Sequence, residues 1–95
     1  MLLHVLAEFL GTFMFLFIIL QQGQPIPIAV ALLASIYAFG NISGGHFNPA
    51  VTIMMGSNGK ITQTQGVLYV LAQITGGLCA LLLHKYVSKN KNDIK

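Results

Sequence analysis

Two features of this sequence offer chemistry in a setting that is otherwise apolar. One is a lone acid, Glu8, inside the hydrophobic run from Leu2 to Leu20. The other is the stretch Ser43-Gly44-Gly45-His46-Phe47-Asn48-Pro49-Ala50-Val51-Thr52, polar and glycine-rich between long hydrophobic segments. Gly44 and Gly45 allow backbone conformations barred to other residues, so the chain can run extended with its carbonyls on one side. Asn48 is a good N-cap and Pro49 a preferred first helical residue, so a helix starts there. It must stop near Gly56, because Ser57-Asn58-Gly59-Lys60 is a turn sequence. A helix of about seven or eight residues extends only some 12 Å, less than half the hydrocarbon thickness of a bilayer. The expected product is a half-helix that enters and stops. The carbonyls from Gly44 to Phe47 would serve as acceptors in series, while the positive end of the half-helix dipole at Asn48 opposes cations. If the Asn48 side-chain oxygen caps the N–H of Ala50 or Val51, its amide NH2 is left to donate. One site thus offers acceptors in series and a donor to whatever passes. The plainer alternative is an N-cap on a short surface helix; the preceding glycines and the hydrophobic flanks favour the re-entrant reading.

Glu8 sharpens the picture. An acid near a bilayer centre costs about 2.5 to 3.5 kcal/mol on insertion scales and requires partners. It is either a proton- or ion-binding carboxylate or a buried acceptor that ties down irregular backbone. The second role is favoured because the chain supplies such backbone, with free N–H groups, in the loop before Asn48.

The elements that must hold these groups follow from hydropathy. Of 95 residues, 55% are hydrophobic and 7% charged, which marks a membrane protein. The expected fold is all-α: spans at about 2–20, 27–42 and 64–87, with a half-helix at 49–56. Residues 1–87 form one domain and 88–95 a polar, lysine-rich disordered tail. In the first span His4, Glu8, Gly11, Thr12 and Phe15 share one stripe, which should face protein. Gln21 to Pro27 reads as a turn, with Pro25 and Pro27 at a helix start. The second helix is short for a span if Gly40 ends it; its stripe is Ile28, Ala31, Ser35 and Ala38. In the third span Gly66, Tyr69, Gln73, Gly76, Ala80 and His84 lie on one face, and Ala72, Gly76 and Ala80 form a small-residue ridge. His84, beside Lys85 and Tyr86, reads as an interface residue.

Other classes drop out on composition. All five basic residues are lysines, four of them in the last dozen positions, so only that end offers a basic patch and nucleic-acid binding is not expected. Cys79 is the single cysteine and lies in an apolar run, which leaves no disulfide and no thiolate metal site. A cleaved signal peptide is disfavoured, because no basic residue precedes the first span and no small-x-small site follows Leu20. With no nucleophile–base pair or metal-ligand cluster beside a pocket, neither an enzyme, a cofactor nor a metal is expected.

Ser43 to Thr52 resembles the first Asn-Pro-Ala loop of the aquaporins, also called major intrinsic proteins. Ala7-Glu8-Phe9-Leu10-Gly11-Thr12 resembles the family's first-helix motif, and Tyr69-x-x-Ala72-Gln73-x-x-Gly76-Gly77 is similar to its third helix. The resemblance spans roughly residues 7 to 84. It implies the N-terminal half of an inverted-repeat channel for water or small uncharged solutes such as glycerol. By that resemblance Asn48 is the pore asparagine, the Gly44, Gly45 and His46 carbonyls form a ladder for the solute, and Glu8 anchors the loop. His46 would lie at the pore wall, and Ile28 would fall at the selectivity constriction. Glu8, Pro49 and Gln73 would be structural.

Family members have two halves, and this chain has one Asn-Pro-Ala and no arginine. One half cannot enclose a pore, so a second is required: an inverted self-copy, a separate second half or a full-length relative. Lys85, Lys89, Lys91 and Lys95 would place the C-terminus in the cytoplasm, whereas the resemblance places the N-terminus there. That conflict suggests an antiparallel homodimer with dual topology. Two other readings compete: a non-conducting fragment that associates with full-length channels, and a small proton-coupled exporter using Glu8.

Overall fold

The computed structural model describes residues 1–94, with side chains described through Lys91. Four helices follow one another: α1 (Leu2–Gln22), α2 (Pro25–Ser43), α3 (Pro49–Ser57) and α4 (Gln63–Ile94). The fold is all-α as expected. Three of the helices, α1, α2 and residues Gln63–Lys91 of α4, are long and apolar enough to cross a membrane. α1 ends on Gly23, whose left-handed φ of 62° lets its N–H reach the Ile19 carbonyl. Gln24 then caps α2, and Pro25 opens it, where a missing N–H is harmless.

All four helices run past the bounds read off the sequence, so that only Gly23 and Gln24 remain of the expected turn from Gln21 to Pro27. α2 runs through Gly40 to Ser43 and reaches 19 residues, a full span rather than a short 27–42 segment. Gly40 does not end the helix; the loop passes over it, and a side-chain carbon on Gly45 would stand 3.4 Å from the Gly40 Cα. A single glycine costs a helix about 1 kcal/mol, too little to stop one that is packed along its length. α4 does not end near Val87 but continues through Ser88 to Ile94. No Gly or Pro follows Gly77 to break it, and Lys91 in the last turn suits the negative end of the dipole. Lys95, the last residue assigned to the tail, lies outside the described residues.

Packing inverts the pattern of a water-soluble protein. Leu2, Ile26, Tyr37 and Leu82 are exposed, whereas Glu8, Thr12, Ser35, Ser43, His46, Thr52 and Gln73 are buried. Lipid provides the apolar solvent, and protein must satisfy polar groups internally. The buried residues fall on the stripes read from the sequence, with Phe15, Ile28, Gly66 and His84 only partly covered. Ala7, Glu8, Gly11 and Thr12 face inward on α1, and Tyr69, Ala72, Gln73, Gly76 and Ala80 on α4. His4 at the exposed end of α1 and Ala38 on α2 fall outside the buried set. α1 and α4 touch backbone to backbone at Gly76, where a β-carbon would stand 2.8 Å from the Phe9 carbonyl oxygen. α2 is stitched to α1 by Ser35, whose hydroxyl lies 3.2 Å from the Gly11 carbonyl and 2.9 Å from that of Ala31.

Candidate functional site

The link from α2 to α3 wraps around one carboxylate. Glu8 is fully buried on α1 and accepts four hydrogen bonds. Its Oε2 takes the Ser43 hydroxyl at 2.6 Å and the His46 N–H at 3.1 Å, and its Oε1 takes the Phe47 N–H at 2.8 Å and the Gln73 amide at 2.9 Å. Charge-assisted bonds from two backbone amides and two side chains fill most of the acceptor capacity of a carboxylate. Glu8 is therefore the acceptor that ties the loop, and no donor of its own is needed.

The loop's conformation follows from these bonds. Gly44 (φ 94°), Gly45 (φ 68°) and Phe47 (φ 53°) all adopt left-handed backbone. For Phe47 that conformation is unfavourable and is held by the N–H bond to Glu8 and by its ring, buried against Gly11. In a trans peptide the C=O points opposite to the N–H of the next residue. The Gly45 N–H goes to the Ser43 hydroxyl, and the His46 and Phe47 N–H groups go to Glu8. The carbonyls of Gly44, Gly45 and His46 are consequently turned away from the carboxylate. Among the described residues no hydrogen bond reaches any of the three.

Asn48 (φ −161°, ψ 124°) caps α3, its Oδ1 accepting the Ala50 N–H at 2.8 Å, as its place before Pro49 predicts. The cap leaves the Asn48 amide NH2 at the exposed start of α3. Behind it a second shell of bonds holds the knot rigid. Gln73 Nε2 bridges Glu8 and the Thr52 hydroxyl, and Thr52 Oγ1 lies 2.8 Å from His46 Nδ1. The His46 ring also meets Tyr69 edge-on at 5.1 Å, and the Tyr69 hydroxyl donates to the Ser43 carbonyl at 2.6 Å. Tyr69 itself accepts from the Gln65 amide.

The structure thus gathers Glu8, Gly44, Gly45, His46, Phe47, Asn48, Pro49 and Gln73 into one cluster. Ile28 is not part of it: it lies fifteen residues before Ser43 on α2, about 22 Å along the helix axis. His84 is elsewhere too, its Nδ1–H donating to Gln21 Oε1 at 2.7 Å and joining α4 to the end of α1. Sequence reasoning gave no role to the hydroxyls of Ser43 and Thr52. The available signal was that a buried acid needs donors and that these two flank the loop. Replacing Tyr69 by Phe removes both hydrogen bonds of the hydroxyl and leaves the buried Ser43 carbonyl unpaired. We expect a loss of about 1–2 kcal/mol, read as an earlier thermal transition in detergent with helix content unchanged.

Three apolar helices and a capped half-helix packed on α4, with the connecting loop anchored on an intramembrane acid, define a multi-pass integral membrane protein with a re-entrant segment. The profile of the Major intrinsic protein family matches residues 1–95, and the chain belongs to that family. Curated relatives agree. The chain is 45% identical over 84 residues to Glycerol uptake facilitator protein-like 6 of Lactiplantibacillus plantarum, covering 79% of this chain and 39% of the relative. It is 35% identical over 95 residues to Aquaporin Z of Photorhabdus laumondii, covering 84% and 41%. To Aquaporin-B of Dictyostelium discoideum it is 36% identical over 93 residues, covering 83% and 32%. The chain therefore spans well under half the length of these relatives.

Proposed function

We propose that this chain forms one wall of a passive membrane channel for water or a small uncharged solute such as glycerol, with a second half closing the pore. The observation that carries this reading is the set of three carbonyls, Gly44, Gly45 and His46, turned away from Glu8 by the bonds of their own peptides. They offer successive acceptors to a molecule moving past. The Asn48 NH2 adds a donor where the file of acceptors meets the α3 N-terminus. The positive end of the α3 dipole at that point disfavours cations and hydronium, so the permeant is neutral. The printed names of the relatives, a glycerol facilitator and aquaporins, agree with this solute class. A closing half is required because carbonyls facing lipid cost several kcal/mol each.

Of the competing readings, the proton-coupled exporter needs a carboxylate that exchanges protons during transport. Glu8 is fully buried with four donors already bound, which favours an anchor. The non-conducting fragment differs from the channel only in transport. Stopped-flow swelling of vesicles holding the protein tests all three. Water or glycerol permeability should exceed that of bare lipid and be indifferent to a pH gradient. Asn48→Asp retains the cap acceptor, loses the donor and adds a charge. It should reduce the increment at least about tenfold, the equivalent of ~1.4 kcal/mol. Uptake that requires a pH gradient would establish the exporter, and permeability at the lipid baseline would leave the fragment.

A further inference from the structure

α4 is longer than a membrane crossing requires. Its stretch Gln63–Lys91 holds 29 residues, about 43 Å, against a hydrocarbon core about 30 Å thick. Tilt does not absorb the excess, because α1 packs along α4 and has only 21 residues. Two observations fix where α4 leaves the hydrocarbon. His84 Nδ1 lies 2.7 Å from Gln21 Oε1, so His84 is level with the polar end of α1, where the chain turns into α2 at Gly23 and Gln24. Counted from the other side, Gln73, which binds Glu8, stands ten residues from Gln63 and eleven from His84, about 15 and 16 Å. The stretch from Gln63 to His84 thus matches the core in length and places the Glu8 knot at its middle. Lys85 to Lys91 extend beyond it into the headgroup layer, about 5–7 Å deep on each face of a bilayer.

The projecting end carries charge. Lys85, Lys89 and Lys91 are exposed, and with Lys95 they make four of the five lysines in the chain. The two acids are Glu8, buried in the knot, and Asp93. Lys85 and Lys89 are four residues apart and share one helix face. Leu82 precedes them by three and seven residues on the same row, and Leu71 lies three turns below; these leucines are 66% and 56% exposed. An apolar row that ends in two ammonium groups at headgroup depth has the polarity of a phospholipid, tail below and phosphate above. Tyr86, 63% exposed beside them, suits the same boundary. We propose that this end of α4 binds an anionic phospholipid, with Lys85 and Lys89 on its phosphate, Lys91 adding charge, and an acyl chain along Leu82 and Leu71. A zwitterionic headgroup carries its own cation, which competes with the lysines, whereas an anionic one gains about fivefold in binding for each lysine near the surface. Held at this depth, α4 keeps the start of α3 at mid-bilayer. The site is independent of transport.

Native mass spectrometry of the full chain in detergent, with phosphatidylglycerol and phosphatidylcholine of the same acyl chains added in equal amounts, tests the proposal. Phosphatidylglycerol adducts should exceed phosphatidylcholine adducts at least about tenfold. Lys85→Gln with Lys89→Gln should bring the ratio to within about twofold, and Lys85→Arg with Lys89→Arg should preserve it, because the charge remains. Lys60→Gln, at the opposite end of the bundle, is the control and should leave the ratio unchanged. All variants change exposed side chains and should keep the wild-type helix content by circular dichroism. Inorganic phosphate in large excess should leave the lipid adducts in place, since it lacks the tail that the leucine row holds. Equal adducts of the two lipids on the wild type, a preference that survives the double Gln variant or is lost in Lys60→Gln, or displacement by inorganic phosphate each overturns the site.

Discussion

Replacing Glu8 by Ala is expected to be the most damaging single change in this protein. The substitution removes the acceptor of four hydrogen bonds at once, stranding the Ser43 hydroxyl, the His46 and Phe47 N–H groups and one arm of Gln73. A buried donor without a partner costs about 1–3 kcal/mol, and the backbone N–H groups cannot turn to find another. The expected loss is at least about 3 kcal/mol, seen as a collapsed thermal transition in detergent and protease cleavage within residues 44–48. Glu8→Gln keeps one oxygen and directs an NH2 at donors, so it should fall between wild type and Ala. A Glu8→Ala protein with wild-type stability would mean that the loop holds its shape without the carboxylate. The left-handed Phe47 backbone would then lack its stated cause.

Gly11→Ala should rank next, because the space at that position belongs to the loop. A β-carbon on Gly11 would stand 2.6 Å from Cζ and 2.7 Å from Cδ1 of Phe47. The ring is 2% exposed and its backbone N–H is tied to Glu8, so Phe47 cannot yield without moving the carbonyl of His46 beside it. Overpacking of this kind costs about 1–3 kcal/mol. Here it should also depress permeability, since the displaced atoms belong to the acceptor row. Gly56→Ala is the control: the nearest atom to its β-carbon is 3.9 Å away on Ile61. Inside α3 that change should be neutral or stabilising by up to about 1 kcal/mol. Equal stability and equal permeability for Gly11→Ala and Gly56→Ala would contradict the account.

Local chemistry explains what was legible before the structure. Asn48 and Pro49 announce the start of α3 through capping and a fixed φ, and Gly56 with the turn after it limits its length. Glu8 announced a need for donors through the cost of burying a charge, and the α1 and α4 stripes followed from helical spacing. What escaped depended on contacts between segments far apart in sequence. Gly40 read as a helix stop, but α2 continues through it to Ser43, whose hydroxyl is held by Glu8 on α1. Ser43 and Thr52 looked like loop edges, yet their hydroxyls complete the network around Glu8 and His46. The unpartnered oxygens of Thr12 and Gln73 could not be inferred at all, because orphanhood is a property of the packed structure.

The central claim is that the carbonyls of Gly44, Gly45 and His46 face a path for solute at membrane depth. Water-edited solid-state NMR on carbonyl-labelled protein in lipid bilayers reads that contact directly. Magnetisation should pass from water to the Gly44, Gly45 and His46 carbonyl carbons within the time seen for exposed loop residues, and far faster than to Ala31 in the packed face of α2. Transfer to these three carbonyls as slow as to Ala31 would contradict the claim.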